Sequence, residues 1–197
     1  MIILLYSILA GFLIAMGGII NLTLGGIPGA LFFSLGLMTI VTFKYDLFTG
    51  KAGLLATQGI KPLKLIGIWF GNFIGAAACA FAISVAPAGE TLCAKAAEVV
   101  ALRSGQPAAI NLLLGIYCGI LMYIAVTGFK HTNNYLFCIV PVAFFILCGF
   151  NHCVADMFYT ALGASEWKHL LHLIPTTVGN IIGCNLIPLV DYYHRGV

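Results

Sequence analysis

Charge is what this sequence has least of. Only 8% of its 197 residues are Asp, Glu, Lys or Arg, where a soluble domain carries about 25%. Hydrophobic residues make up 61%, against roughly 45–50% in soluble chains. So few charges cannot cover the surface of a soluble domain of this length. A lipid solvent removes the difficulty, because the outside is then free to be as apolar as the core. Basic runs are absent too, and the net charge of +3 is scattered along the chain, which excludes a nucleic-acid partner. There is no Cys-x-x-Cys pair: Cys79, Cys118, Cys138, Cys148, Cys153 and Cys184 lie in apolar runs and only Cys93 in a polar one. They read as small packing residues in reduced form. No basic residue precedes the first apolar run, which continues to Leu24, so a transmembrane helix fits it better than a signal peptide.

A spanning helix needs about 20 mostly apolar residues. Met1–Leu24, Leu65–Ala86, Ala108–Phe129 and Leu170–Val190 qualify directly. Two further regions, Gly29–Thr57 and Tyr135–Leu162, are longer and interrupted by polar groups: Lys44, Tyr45 and Asp46 in one, Asn151, His152 and Asp156 in the other. Polar groups and irregular backbone at that depth must face protein or a water-lined cavity. Both regions therefore read as broken helices, Gly29–Phe43 with Leu47–Gln58 and Tyr135–Gly149 with His152–Leu162. The polar segment Pro87–Pro107 reads as an exposed loop or surface helix.

An internal repeat orders these pieces. Gly71-Asn72-Phe73-Ile74-Gly75-Ala76 resembles Gly179-Asn180-Ile181-Ile182-Gly183-Cys184 at an offset of 108, and Asp46-Leu47-Phe48 resembles Asp156-Met157-Phe158 at 110. Each broken helix precedes one Gly-Asn helix. The expectation is a single all-α transmembrane pore domain over 1–197, with six spans in an inverted 3+3 repeat: repeat one over about 1–86, the loop over 87–107, repeat two over about 108–192. Three spans per repeat is an odd number, so the second repeat enters the membrane upside down. Folds of this kind place their site near the bilayer midplane.

Phe32-Phe33-Ser34-Leu35-Gly36-Leu37, Asp46-Leu47-Phe48-Thr49-Gly50, Gly71-Asn72, Gly149-Phe150-Asn151-His152 and the Gly179-Asn180 segment together resemble the formate/nitrite transporter family. The resemblance runs from about Gly29 to Leu189 with its motifs in order. It implies an aquaporin-like protomer in a homopentamer, with one pore per subunit, in the inner or plasma membrane. It also implies transport of small monovalent anions such as formate, nitrite or hydrosulfide, often coupled to protons. By the same resemblance His152 lies at the pore centre, across from Thr49, with Asn151 and Asn180 among the residues there. Phe33 and Phe145 form one apolar constriction, Leu37, Leu47 and Phe48 the other, and Asn180 supports the histidine. Three positions depart from the pattern. Asn151 stands where formate channels carry glutamate, Gly119 where many have an asparagine in span four, and Asp156 in place of an asparagine. The sequence shows no extended N-terminal helix like that of many relatives, so terminal gating is not expected to carry over.

A histidine suits a pore centre because its unperturbed pKa of about 6.5 allows either charge state. An imidazolium would stabilise an anion and a neutral imidazole would hydrogen-bond a neutral solute; the residues leave both open. Thr49 serves as a pore hydroxyl or satisfies a carbonyl at a helix end. Asp46 reads as a cap on the second half-helix, and half-helix N-termini aimed at the centre favour anions. The apolar constrictions exclude water and bare ions, although each Phe and Leu alone is ordinary core. Gly71–Gly75, Gly115–Gly119 and Gly179–Gly183 permit close helix contact. Asp156, one turn after His152, has to be neutral, turned away or paired with Lys51 or His152 if anions pass, and is expected behind the pore wall, bonded to backbone or polar groups at the break.

Other functions have thinner support. His152 and Asp156 at i, i+4 are a poor metal set with no second cluster, so no metal or cofactor is expected. Cys153 beside His152 lies on a different helix face, so no enzyme is expected either. The main alternative cargo is a neutral solute such as urea or ammonia. With the N-terminus inside, Lys61, Lys64, Lys130 and Arg195 are cytoplasmic, while Lys95, Arg103 and Lys168 are outside, a bias in the expected direction. An impermeant thiol reagent should therefore reach Cys93 from outside intact cells; labelling only from the cytoplasmic side would reverse the topology.

Overall fold

The computed structural model describes residues 2–56 and 59–195, with the side chain of Arg195 left aside. Met1 and the last two residues of the expected half-helix, Thr57 and Gln58, fall outside that range. The described residues are helical, without strands. Long apolar helices are α1 (Ile2–Leu24), α2 (Gly26–Phe43), α4 (Pro62–Ser84), α6 (Ala108–Thr132) and α9 (Leu173–Arg195). Each is long and apolar enough to cross a membrane. The short α3 (Phe48–Ala52) completes the second span, and α7 (Leu136–Leu147) with α8 (Cys153–Gly163) makes the fifth. The chain is a multi-pass membrane protein.

Two tight helix pairs frame the molecule, α1 with α4 and α6 with α9. Both depend on glycine. A methyl group on Gly75 would collide with the carbonyl of Ile8, and one on Gly11 with that of Asn72. In the second pair Gly119 faces the Asn180 carbonyl and Gly183 that of Ile116. Without a hydrophobic drive between helices in lipid, such backbone approach is a main source of association. The span-four position Gly119 is thus occupied by a packing contact.

The two broken helices stop alike. After α2, Lys44 adopts a left-handed conformation (φ 59°) and the Tyr45 amide donates back to the Ile40 carbonyl at 3.0 Å. After α7, Gly149 does the same (φ 69°) and the Phe150 amide donates to the Phe145 carbonyl at 2.9 Å. This is the Schellman termination, and it pairs 44 with 149, 45 with 150 and 46 with 151. The true repeat partner of Asp46 is therefore Asn151. The Asp46/Asp156 likeness of the sequence is accidental, because the register of the breaks is set by backbone geometry and not by the Asp-x-Phe pattern.

Pro87–Pro107 forms a helix, α5 (Gly89–Gly105), with more burial than a surface segment needs. Leu92, Ala96 and Val100, spaced by four, are buried, and Ala96–Ala97 backbone lies so close to Gly163 of α8 that a methyl there would clash. Its polar residues hid this narrow apolar stripe. Gly183→Val should lose at least about 2 kcal/mol, the scale of a forced overpacking, read as a drop in the melting temperature of the purified protein. Gly67→Ala, where nothing lies within 4 Å of the added methyl, should melt at or above the parent value.

Candidate functional site

Each break leaves backbone groups without helical partners, and in each an asparagine from the following long helix takes them up. Asn72 of α4 accepts from the Phe48 amide at 2.8 Å through Oδ1. Its Nδ2 donates to the carbonyls of Asp46 at 3.0 Å and Ser7 at 2.7 Å. Asn180 of α9 repeats the pattern, accepting from the Cys153 amide at 2.8 Å and donating to the carbonyls of Asn151 and Gly115, both at 2.9 Å. Both asparagines are fully buried. The residue enclosed by the first clamp is Leu47 and by the second His152.

His152 is the N-cap of α8, and its Nδ1 accepts from the Ala155 amide at 3.2 Å, the bond an N-cap side chain makes with the third helical residue. That bond assigns the neutral tautomer with its proton on Nε2. Nε2 then donates to the Thr49 hydroxyl, 2.9 Å away, leaving the Thr49 hydroxyl proton available as a second donor. Thr49 is held in place from behind. Cys184 donates to its carbonyl at 3.4 Å, and Asn185 bonds the carbonyl of Ala52 at 2.9 Å and the amide of Ala56 at 3.1 Å. A protonated His152 would turn an N–H toward the Ala155 amide and lose the cap.

Apolar side chains close this pair on one side. Phe145 stacks on the His152 ring at 5.6 Å between centroids and meets Phe33 edge-on at 5.9 Å. Leu37 and Leu47 are likewise buried, and they line a cavity of about 380 Å³ whose other walls carry Lys44, Lys51 and Lys130. This cavity lies at the end of the bundle where α2 and α6 finish. Phe48 lines a different, apolar cavity with Trp69, Thr177 and Ile181. At the α5 end a smaller cavity, about 210 Å³, is lined by Asn21, Arg103, Gln106, Asn151 and Tyr159.

Charged residues pair otherwise than the sequence suggested. Asp46 does not cap α3; Leu47 holds that position without a side-chain bond, and Asp46 instead meets Lys51 at 3.0 Å. Asp156, fully buried, pairs with Arg103 of α5 and not with Lys51, His152 or the break. Arg103 also stacks 5.8 Å over the Tyr159 ring. The Asn151 side chain donates to Asn111 of α6 at 2.8 Å. The asparagine of span four that reaches the site is thus Asn111, one residue type at the helix start that spacing did not single out. Arg103 was missed because it lies 53 residues from Asp156 in a polar segment; one buried acid in want of a base was the only signal.

Residues 1–194 match the sequence model described as formate/nitrite transporter. The formate channel FocA of Haemophilus influenzae is 28% identical over 197 residues, covering 79% of this chain and 69% of its own length. The formate channel BtFdhC of Bacillus thuringiensis is 27% identical over 214 residues, covering 91% and 81%. A solved pentameric formate channel with formate bound superposes with a TM-score of 0.83 at 22% identity, covering 98% of this chain and 96% of the other. The inverted 3+3 architecture with two broken helices is therefore the fold of this chain. Arg103→Met should destabilise by about 3–5 kcal/mol, the cost of stranding a buried charge. Adding Asp156→Asn to it should recover more than half of the loss in a denaturation series.

Proposed function

The chain belongs to the formate/nitrite transporter family, and from that membership we propose that it is a channel for small monovalent anions, formate foremost, with one pore in each subunit of a homopentamer in the cell membrane. The observation that carries this reading is the His152–Thr49 pair at 2.9 Å, set beside an aromatic closure of Phe33 and Phe145. The whole chain then acts as one pore domain, two inverted repeats joined through α5. Its activity in this reading is passage of solute without chemical conversion, in keeping with the names of its relatives as channels.

In this reading the lysine-lined cavity gathers anions at one mouth, since Lys44, Lys51 and Lys130 outnumber the single acid paired there. A cleft lined by one sign of charge raises the local concentration of its counter-ion. Leu37 and Leu47 then force the solute to shed water. At the centre, Nε2–H of His152 and the hydroxyl of Thr49 replace part of the lost shell. A carboxylate accepts both bonds. Its conjugate acid accepts one and donates the other to the Thr49 oxygen, so the site serves either form and accommodates movement of a proton with the anion. Asn180 acts behind the wall by holding the backbone on both sides of His152.

Homopentamer formation is supported by the pentameric state of the superposed formate channel. Relatives named for formate give no support to a urea or ammonia pore. The test is a panel of formate, nitrite, hydrosulfide, acetate and urea in proteoliposomes, at two pH values. The parent should pass formate and exclude urea, and His152→Ala should change the ranking or its pH dependence more than the amount of folded protein. Urea flux without any anion flux would overturn the reading.

A further inference from the structure

The Arg103–Asp156 pair has a third member that the pore does not use. His172, at the end of the 3-10 turn Trp167–His172 that precedes α9, is 5% exposed. Its Nδ1–H donates to the His169 carbonyl at 2.6 Å, so in the neutral ring Nε2 is a bare acceptor. That atom faces Asp156 Oδ2 at 4.0 Å. Both atoms are buried and neither has a hydrogen-bond partner among the described residues. Two acceptors facing each other in a buried place are unfavourable. One proton on Nε2, with direct contact or one bridging water, turns the repulsion into a charge-assisted bond.

We propose that Asp156 and His172 form a proton-binding site behind the pore wall, separate from His152, whose occupancy sets the charge beside the anion path. Without the extra proton, Arg103 and Asp156 cancel and His172 is neutral, so the cluster carries no net charge. With the proton on His172, the cluster carries one positive charge. Asp156 lies one helical turn from His152, and Arg103 lines the same 210 Å³ cavity as Asn151, so that charge is felt where anions enter the α5 end.

Proton access is built in. His172 also lines a cavity of about 530 Å³ between α5, the 3-10 turn and α9, together with Gln106, Asn111, Lys168 and His169. The charged and titratable groups around the pair come from each packed element. α5 contributes Arg103, the 3-10 turn Lys168 and His169, and α8 itself Tyr159 and Cys153. α6 contributes the buried free thiol of Cys118 and α9 that of Cys184. The one charged side chain of α4, Lys64, stands at the opposite end of the bundle. Arg103 is thus the fixed charge and His172 the variable one.

The transport arm of the test rests on the anion reading; the titration arm does not. Formate flux is measured in proteoliposomes at pH 5.5 and 7.5 for the parent, His172→Gln and Asp156→Asn. The glutamine variant holds the cluster at zero, so its flux at pH 5.5 should fall about three- to tenfold below the parent, the low end of what a cleft charge does to ion capture. The asparagine variant leaves Arg103 unopposed, so at pH 7.5 it should match or exceed the parent by a similar factor. A merely structural role would lower both variants at both pH values, and that result, or a parent-like pH profile in His172→Gln, overturns the proposal. Independently, the imidazoles are titrated by 15N-histidine NMR of the whole protein. One transition should vanish in His172→Gln, and its proton affinity should drop at least about tenfold in Asp156→Asn. If Asp156→Asn folds poorly, Asp156→Asn is made on an Arg103→Gln background and the drop is read against Arg103→Gln alone, because losing the Arg103 charge by itself raises the affinity. An unchanged His172 transition in these variants sinks the proton site even if the parent moves no anion at all.

Discussion

A helix broken inside a bilayer frees amide and carbonyl groups that no water is there to bond, and everything else in this protein is arranged around that debt. Two asparagines settle it, Asn72 for the first break and Asn180 for the second. Each must reach the broken segment from a neighbouring helix, and each also bonds the helix packed behind it, at Ser7 or Gly115. That reach requires α1 and α4, and α6 and α9, to lie almost backbone to backbone. The glycines at 11, 75, 119 and 183 make such an approach sterically open. The clamp and the small-residue contacts are therefore one device.

The pseudo-symmetry explains why the His152–Thr49 pair arises at the second break. The clamps enclose Leu47 and His152 at corresponding positions, so one half supplies an apolar side chain and the other an imidazole. Thr49 comes from the first half, two residues beyond its clamp, and meets His152 from the second. The donor pair exists only because the two halves are inverted and interlocked. Apolar rings and leucines lie beside it, and the low local dielectric they create strengthens the hydrogen bonds of the pair.

Acids and bases are sorted by the same logic. Asp46 sits near the lysine-lined cavity and is answered by Lys51. Asp156 is fully buried, where an unpaired carboxylate is costly, and it recruits Arg103 from the helix joining the repeats. The burial of Asp156 and the burial of one face of α5 are thus linked. Asn151, being uncharged, needs no such base and bonds Asn111.

Much of this was legible in the residues. Low charge and apolar runs of about 20 residues determined a membrane protein of six spans, because lipid permits little else. Polar groups at Lys44–Asp46 and Asn151–Asp156 marked both breaks, and the paired Gly-Asn helices marked the inverted halves. His152, Thr49, Phe33 and Phe145 were found through these motifs and the family they resemble, and they do come together. The register of the repeat, the partner of Asp156, the burial of α5 and the role of Asn111 were decided only by tertiary structure. The reason is physical. Spans and breaks are local consequences of burying backbone in lipid, readable one segment at a time. Which base answers a buried acid, and which carbonyls an asparagine can clamp, depend on helices brought together from 26 to 65 residues away, and no local pattern records that distance.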